Sequence, residues 1–430
     1  MSRPSAREAQ ERSEMKRMFT MLKDARFTLK NNEVRRFMTA PDPGSVRLNR
    51  EGFELDPAVK KKAKVFPFMY LGTHPDLGKG DLFSPIFGEV TDVTERSVFI
   101  TAAEPDDELR ARAAAVEKAD VRALPEGGEE LCLALKKLGL NTKSLAQPCE
   151  TLIINGLNPD PGVTWAEPMI NSHPRHFLLG MKMLKRISPA KRIVLAIPKG
   201  LTFDYPGIET AEVPFQYPAS VNALVVRAVT GREKPEGVGV VGLHNIWSLG
   251  HVLQTRLPLV DTVITIGTLK NNGNFIVRDG STVGDLLDFA GIELKEGDTV
   301  VRGGPLRGES LDRYDRSITK GSVGLFIVEQ GTIAPMEGHS PCIECGSCSA
   351  ICPARLRPDM LSRYAEFGLH ERCLEEYITS CLECGLCGYV CIARRPVLQY
   401  IRLAKRRLGL KLLSSSGLYS EKVSATEVRS

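Results

Sequence analysis

Apolar positions change rhythm several times along this chain. Between Phe66 and Glu104, "FGEVTDVTERSVFITA" alternates apolar and polar residues after a glycine-rich "LGKGDLFSP". A period of two predicts small, half-buried, twisted strands. Residues 105 to 145 then carry helical spacing. "TLIING" and "RIVLAIP" are short apolar runs of the buried-strand kind, separated by the helical "HPRHFLLGMKMLKRI". "SVNALVVRAVTG" gives another helix, and "VGVVGL" and "DTVITI" give further strands. Strand and helix therefore alternate from about 150 to 265, which predicts a doubly wound α/β domain.

After Gly267, "NNGNFIVRDGSTVGDLLDFAG" reads as a turn, a strand and a short helix capped by Ser281 or Thr282. "DTVVRGGPLRGESL" adds strand and turn, so a compact α+β unit ends near Val328. Beyond it lies a cysteine-rich region whose intervening "PDMLSRYAEFGLHERCLEEYI" has helical spacing, and the ordered chain closes with "VLQYIRLAKRRLGL". The first 65 residues read as an amphipathic or partly disordered basic leader.

Composition narrows the class. Of 430 residues, 42% are hydrophobic and 25% charged, as in a globular protein, and no apolar run reaches the roughly 18 residues a membrane span needs. The start, "MSRPSAREAQERSEMKRMF", lacks the apolar core of a secretory signal, which predicts a reducing cytoplasm and argues against disulfides. Charge is uneven: residues 1 to 65 hold 16 Lys and Arg against 9 Asp and Glu, and residues 392 to 430 hold 9 against 2. Basic ends suit an acidic partner or simply solvated tails. No aromatic-interleaved basic groove accompanies them, which sets nucleic acid aside.

The chemistry lies in the cysteines. Eight of the eleven form two runs of C-x2-C-x2-C-x3-C: Cys342, Cys345, Cys348, Cys352 and Cys381, Cys384, Cys387, Cys391. The same Glu precedes the second cysteine of each run and the same Gly follows it. Cys132, Cys149 and Cys373 stand apart and read as small buried residues. Three thiolates spaced this closely wrap one face of an iron-sulfur cube, and in two-cluster ferredoxin arrangements the last cysteine of each run ligates the other cluster. That assigns one 4Fe-4S cluster to Cys342, Cys345, Cys348 and Cys391, and the other to Cys381, Cys384, Cys387 and Cys352. Structural zinc, the alternative, takes its cysteines as two separated pairs and finds this spacing crowded. Small residues between the ligands, Gly346, Ser347, Ser349, Gly385 and Gly388, let backbone amides approach sulfur. Pro353 follows the first run but Ile392 follows the second, which predicts a different chain exit.

The ordered string of "TLIING", "YPASVNALVVRAVTGREKP", "NNGNFIVRDGSTVGDLLDFAG", "VRGGPLRG", "ITKGSVGLFIV" and the two cysteine runs resembles the RnfC family, the peripheral cluster-bearing subunits of Rnf ion-translocating oxidoreductases. The likeness covers about residues 66 to 408. It implies a multidomain α/β and α+β protein. A basic leader (1–65), foreign to the family, precedes a β barrel-sandwich-like domain (66–104). An α/β domain of the complex I flavoprotein type (105–266), an SLBB β-grasp domain (267–330), an α-helical ferredoxin-type module with two 4Fe-4S clusters (331–411) and a tail (412–430) follow. It further implies a cytoplasmic location, peripheral on the inner face of the cell membrane. Its partners are membrane subunits and a soluble electron donor or acceptor such as ferredoxin.

One departure bears on FMN and NADH, the family's ligands. The family's glycine-rich loop before "TLIING" is here "LALKKLGLNTKSLAQPCE", with Gly139 alone, and side chains block the backbone approach that glycines allow. The acidic segment after the strand is "NGLNPDPG", keeping Asp160 and carrying Asn158 in place of a carboxylate. The nucleotide site thus reads as dismantled, with Asp160 its vestige; a retained NADH dehydrogenase and a non-catalytic scaffold with structural clusters are the alternatives. His173 and His176 read as surface residues over metal ligands, and Gly303 and Gly304 as a β-turn over a phosphate cradle. Arg394, Arg395, Lys405, Arg406 and Arg407 read either as a docking face or as the solvated side of a helix.

Overall fold

The computed structural model describes residues 37–171, 174–201, 203, 208–268, 271–329 and 341–410. The expected leader fails over its second half, because residues 37–65 are folded. β1 (Phe37–Thr39) pairs in parallel with a strand far along the chain, and β2 (Ser45–Asn49) opens a small sheet. In β2, Val46 and Leu48 point inward while Arg47 and Asn49 point out, the alternation a half-buried strand requires. β3 (Glu54–Leu55), β5 (Tyr70–Thr73) and β6 (Leu82–Phe83) form one sheet; β4 (Lys64–Val65), β7 (Gly88–Val93) and β8 (Ser97–Ala102) join β2 in the order β2-β8-β7-β4. Both enclose a core of Val46, Leu48, Val65, Leu71, Val90, Val98 and Ile100.

The predicted α/β alternation forms a four-stranded, wholly parallel sheet: β9 (Thr151–Asn155), β10 (Arg192–Pro198), β11 (Glu209–Val213) and β12 (Val238–Gly242), ordered β11-β10-β9-β12. Helices Pro174–Ile187 and Leu243–Thr255 pack in the large core that holds Phe177 and Trp247. They touch backbone to backbone: a Cβ on Gly180 would stand 2.1 Å from the Ile246 carbonyl oxygen, and one on Gly250 would stand 1.8 Å from that of His176. Only glycine fits at either crossing. A second core gathers helix Asn222–Thr230, strand residues Ile153 and Val240, and Leu382, Cys384 and Leu386 of the second cysteine run.

"DTVITI", expected in the parallel sheet, instead forms β13 (Asp261–Gly267) of a six-stranded mixed sheet ordered β1-β14-β13-β17-β15-β16. β14 (Asn272–Arg278) runs antiparallel to β13, and a hairpin partner so near in sequence outcompetes the parallel sheet. β15 (Thr299–Arg302), β16 (Glu309–Leu311) and β17 (Gly324–Val328) complete it. Thr282 caps helix Val283–Phe289, accepting from the Asp285 amide at 3.2 Å. The segment around β2 is strapped to this unit by Arg47 N–H to Gly280 O at 2.8 Å and by Arg278 to Asp42 at 2.8 Å. Among the described residues no helix is long and apolar enough to cross a membrane.

Candidate metal centre

The two cysteine runs repeat in backbone as well as in sequence. Glu344 and Glu383 both take left-handed φ, 56° and 52°; so do Gly346 and Gly385, at 74° and 80°. Each glycine leads into a one-turn helix, Ser347–Ile351 or Leu386–Tyr389. The exits match too: Cys352 N–H meets Ser349 O and Cys391 N–H meets Gly388 O, both at 3.3 Å, while Arg355 and Arg394 amides close on the preceding cysteines at 3.1 and 3.0 Å. The expected difference at Pro353 and Ile392 does not arise, because the cysteine and the third residue after it close that turn.

A small cavity is lined by Cys352 of the first run together with Cys381, Cys384 and Cys387 of the second, and by apolar Leu356, Leu361, Leu398 and Ile401. Cys348 of the first run feels the thiol of Cys391 from the second. Burial is the main force on these groups: it pushes the Cys384 thiol up to about 12 and the Cys348 thiol to about 11, and it raises Cys381 and Cys387. Bare thiols here hold their protons, so metal loading must release them. Among the described residues no three His, Cys, Asp or Glu side chains gather as they would around one ion. Four thiols drawn from the two runs onto one apolar cavity are the donor set that a 4Fe-4S cube takes, one cysteine to each iron. The Arg395 amide, beyond the second run, donates to Cys391 Sγ at 3.4 Å, a hydrogen bond to a candidate ligand.

The two halves differ in their surroundings. Cys345 is exposed, whereas Cys384 and Cys387 are buried. Glu344 lies at the surface beside Arg363 at 2.7 Å; Glu383, its counterpart, is wholly buried between Arg402 at 2.9 Å and Lys405 at 2.8 Å. Lys405 also donates to Cys381 O at 3.0 Å. Arg307 Nε donates to Glu383 O at 3.1 Å, Arg402 Nη1 to Arg307 O at 2.9 Å, and Tyr217 OH to Cys384 O at 2.5 Å. The second run is thus seated on both the parallel sheet and the β15–β16 turn. Lys405 and Arg395 are buried, the latter against Glu366, so they belong to neither a docking face nor a solvated one. Arg394, Arg406 and Arg407 are exposed. Sequence reasoning missed Tyr217, Arg307 and Glu383; the glutamate repeated in both runs was the one available signal.

Asp160 is 1% exposed and faces the "VRGGPLRG" turn: its Oδ1 accepts from the Leu306 amide at 3.0 Å, and a Cβ on Gly304 would stand 2.1 Å from its Cγ. Burial, opposed by that hydrogen bond and by Arg307, raises its pKa to about 7. A smaller cavity lies at the carboxyl ends of β9 and β10, lined by Gly156, Asn158, Glu167, Pro198 and Phe203 among others. The segment before β9 buries Leu140 and Leu145 in the core, and its single glycine abuts Gly80, whose added Cβ would lie 2.0 Å from the Gly139 carbonyl carbon. Gly139 therefore serves close packing against Gly80. His176 packs against Trp247 and His251, with ring centroids 6.2 and 5.6 Å away, and His173 lies outside the described residues. Cys132 and Cys373 are buried and Cys149 is half-buried.

Fold and site together define a class: a mixed α/β protein whose C-terminal module carries paired four-cysteine runs. No family model matches the chain. It is similar to the C subunits of ion-translocating oxidoreductase complexes, as the sequence likeness implied. It is 31% identical over 276 residues to the C subunit of the "Proton-translocating ferredoxin:NAD(+) oxidoreductase complex" of Clostridium ljungdahlii, covering 60% of this chain and 60% of the relative. To the C subunit of the "Ion-translocating oxidoreductase complex" of Haemophilus influenzae it is 28% identical over 285 residues, covering 62% of this chain and 43% of the relative. This chain therefore spans about half the length of these curated relatives. Among solved structures, an NAD+-reducing [NiFe]-hydrogenase in the air-oxidized state is similar at 12% identity and a TM-score of 0.40, over 64% of this chain and 60% of that one, a likeness from which no function follows.

Proposed function

We propose that this chain is an electron-transfer subunit of an Rnf-like membrane oxidoreductase complex. It relays single electrons through two 4Fe-4S clusters between a soluble donor, such as ferredoxin, and membrane partners, from a peripheral position on the cytoplasmic face. The observation that carries this reading is the apolar cavity joining Cys352 of one run to Cys381, Cys384 and Cys387 of the other. Clusters held by such thiolates supply one-electron carriers and no bond-making chemistry. The chain's own residues do the rest. Cys352, Cys381, Cys384 and Cys387 would hold the inner cluster, and Leu356, Leu361, Leu398 and Ile401 keep water from it. Cys342, Cys345, Cys348 and Cys391 would hold the outer one, nearer the surface. Rigid seating by Tyr217, Arg307 and Arg402 fixes the inner ligands, so little reorganisation accompanies a change of charge. NADH oxidation is not assigned, since Gly139 serves packing and Asp160 serves the turn.

Crossed ligation makes the test sharp. The full chain, reconstituted anaerobically, should hold about eight iron and eight sulfide, as two cubes require. Cys352→Ser, although it lies in the first run, should abolish the same electron paramagnetic resonance signal as Cys381→Ser. A Cys352→Ser protein that loses the Cys342→Ser signal instead, or a wild type that takes up no sulfide, overturns the proposal.

A further inference from the structure

The two candidate clusters sit in different electrostatic settings. Three cations meet at the inner ligand run: Arg307 on the Glu383 carbonyl, Arg402 on the Glu383 carboxylate, and Lys405 on both that carboxylate and the Cys381 carbonyl. Two buried carboxylates face the three cations, Glu383 in direct contact with Arg402 and Lys405, and Asp160 through the field of Arg307 and Arg402. At the outer run the charges only pair off, with Arg357 3.8 Å from Asp359 and Arg395, whose amide donates to Cys391 Sγ, held by Glu366. Asp359 accepts from Ser349 Oγ at 3.0 Å and bears on the Cys348 thiol, and Glu344 is held by a single, exposed Arg363.

We propose that Lys405 and Arg402, clamped by Glu383 as a positioning residue, make the inner cluster the electron's resting place, so that it is reduced before the outer one. The inference rests on the two-cluster reading above. Reduction adds one negative charge and moves no bond, so nearby fixed cations favour it and nearby carboxylates oppose it. Burial alone works the other way, disfavouring added charge at the inner site. Burial also shields Lys405 and Arg402 from water and salt, and charges fixed in that setting act at nearly full strength. The cations therefore decide the order. An electron arriving at the exposed Cys345 side passes inward from reduced outer to oxidised inner cluster, one electron for one electron.

The measurement is a potentiometric titration of the reconstituted full chain, followed by electron paramagnetic resonance, with the inner signal assigned as the one lost in Cys384→Ser. Wild type should show two waves, the inner at higher potential. Lys405→Met should change the reduced-to-oxidised ratio of the inner cluster at least tenfold, a downward shift of about 59 mV for one electron. Glu383→Gln should move the same wave upward, Lys405→Arg should restore it, and Arg363→Met should leave it in place. A purely structural clamp would move the Lys405→Met and Glu383→Gln waves in the same direction, which overturns the inference. So does an inner wave below the outer, or one that no variant moves while iron stays at about eight per chain. Should Lys405→Met fail to load, the sign of the Glu383→Gln shift decides alone. A wild type without iron and sulfide, by contrast, sinks the cluster reading itself.

Discussion

Gly346 and Gly385 hold the same place in the two cysteine runs, and both sit in left-handed backbone, at φ +74° and +80°. Replacing either with alanine costs about 1–2 kcal/mol for that conformation. Their surroundings then separate them. Nothing lies within 4 Å of a Cβ at Gly346, whereas one at Gly385 would stand 2.2 Å from the Leu306 carbonyl oxygen. That is about 1 Å short of van der Waals contact. Leu306 is backbone in a tight turn, so the second run must lift off the turn, straining Tyr217 to Cys384 and both Arg307 contacts. One neutral hydrogen bond at about 1 kcal/mol and two from charged donors at about 1.5 each put the added cost near 3 kcal/mol if they weaken by three quarters. Hydrogen exchange reads this directly, since the Leu306 amide donates to Asp160 and that of Gly308 to Gly304. Gly385→Ala should speed exchange over residues 304–308 by roughly 100-fold, 1.4 kcal/mol being tenfold. Gly346→Ala should leave it within about threefold. Equal acceleration in the two variants would refute the close seating of the second run on the turn.

Two buried groups should give pH signatures of opposite slope. Burial lowers His244 to about 4, so the unfolded chain takes a proton near pH 6.5 that the folded chain refuses. Stability should therefore fall as pH drops from about 6.5 to 4, by up to ~3 kcal/mol, and His244→Gln should flatten that limb in urea titrations. Asp160 is raised to about 7, so its stabilising proton is kept below pH 4 and lost as pH climbs to 7; Asp160→Asn should gain stability at pH 8 relative to pH 4 when compared with wild type. Lys136 and Asp81 form a buried pair at 2.5 Å. Lys136→Met should cost about 3–5 kcal/mol by leaving a buried carboxylate, and adding Asp81→Leu should recover most of it in the same denaturation assay.

The sequence exposed most of what local pattern controls. The parallel strands at "TLIING" and "RIVLAIP" announce themselves as unbroken apolar runs, and the cap of a short helix as Ser281 or Thr282, of which Thr282 makes the bond. Pairing across distance left no such trace. Phe37–Thr39 is three residues in a charged stretch, and nothing nearby reveals that Met38 will pair with Phe275. "DTVITI" looks like any buried strand, and its sheet is decided by the hairpin partner that follows. At the site, cysteine spacing marked the thiols, and the cavity brings together the four assigned to the inner cluster. Arg395 and Lys405 misled because a basic residue usually faces water. Their burial depends on Glu366 and Glu383, whose partners emerge only when the helices pack.

The strap at the start of the described chain has a consequence for synthesis. Asp42 and Arg278 are 236 residues apart in sequence yet in contact. At about 5–20 residues per second, the early segment waits roughly 12 to 47 s after emerging from the ribosome before its partner exists. During that interval β1 presents unpaired backbone to solvent, and β2 has only the small sheet to hold it. Translation speed between these points, or a holding chaperone, should then govern yield more strongly than the final stability does.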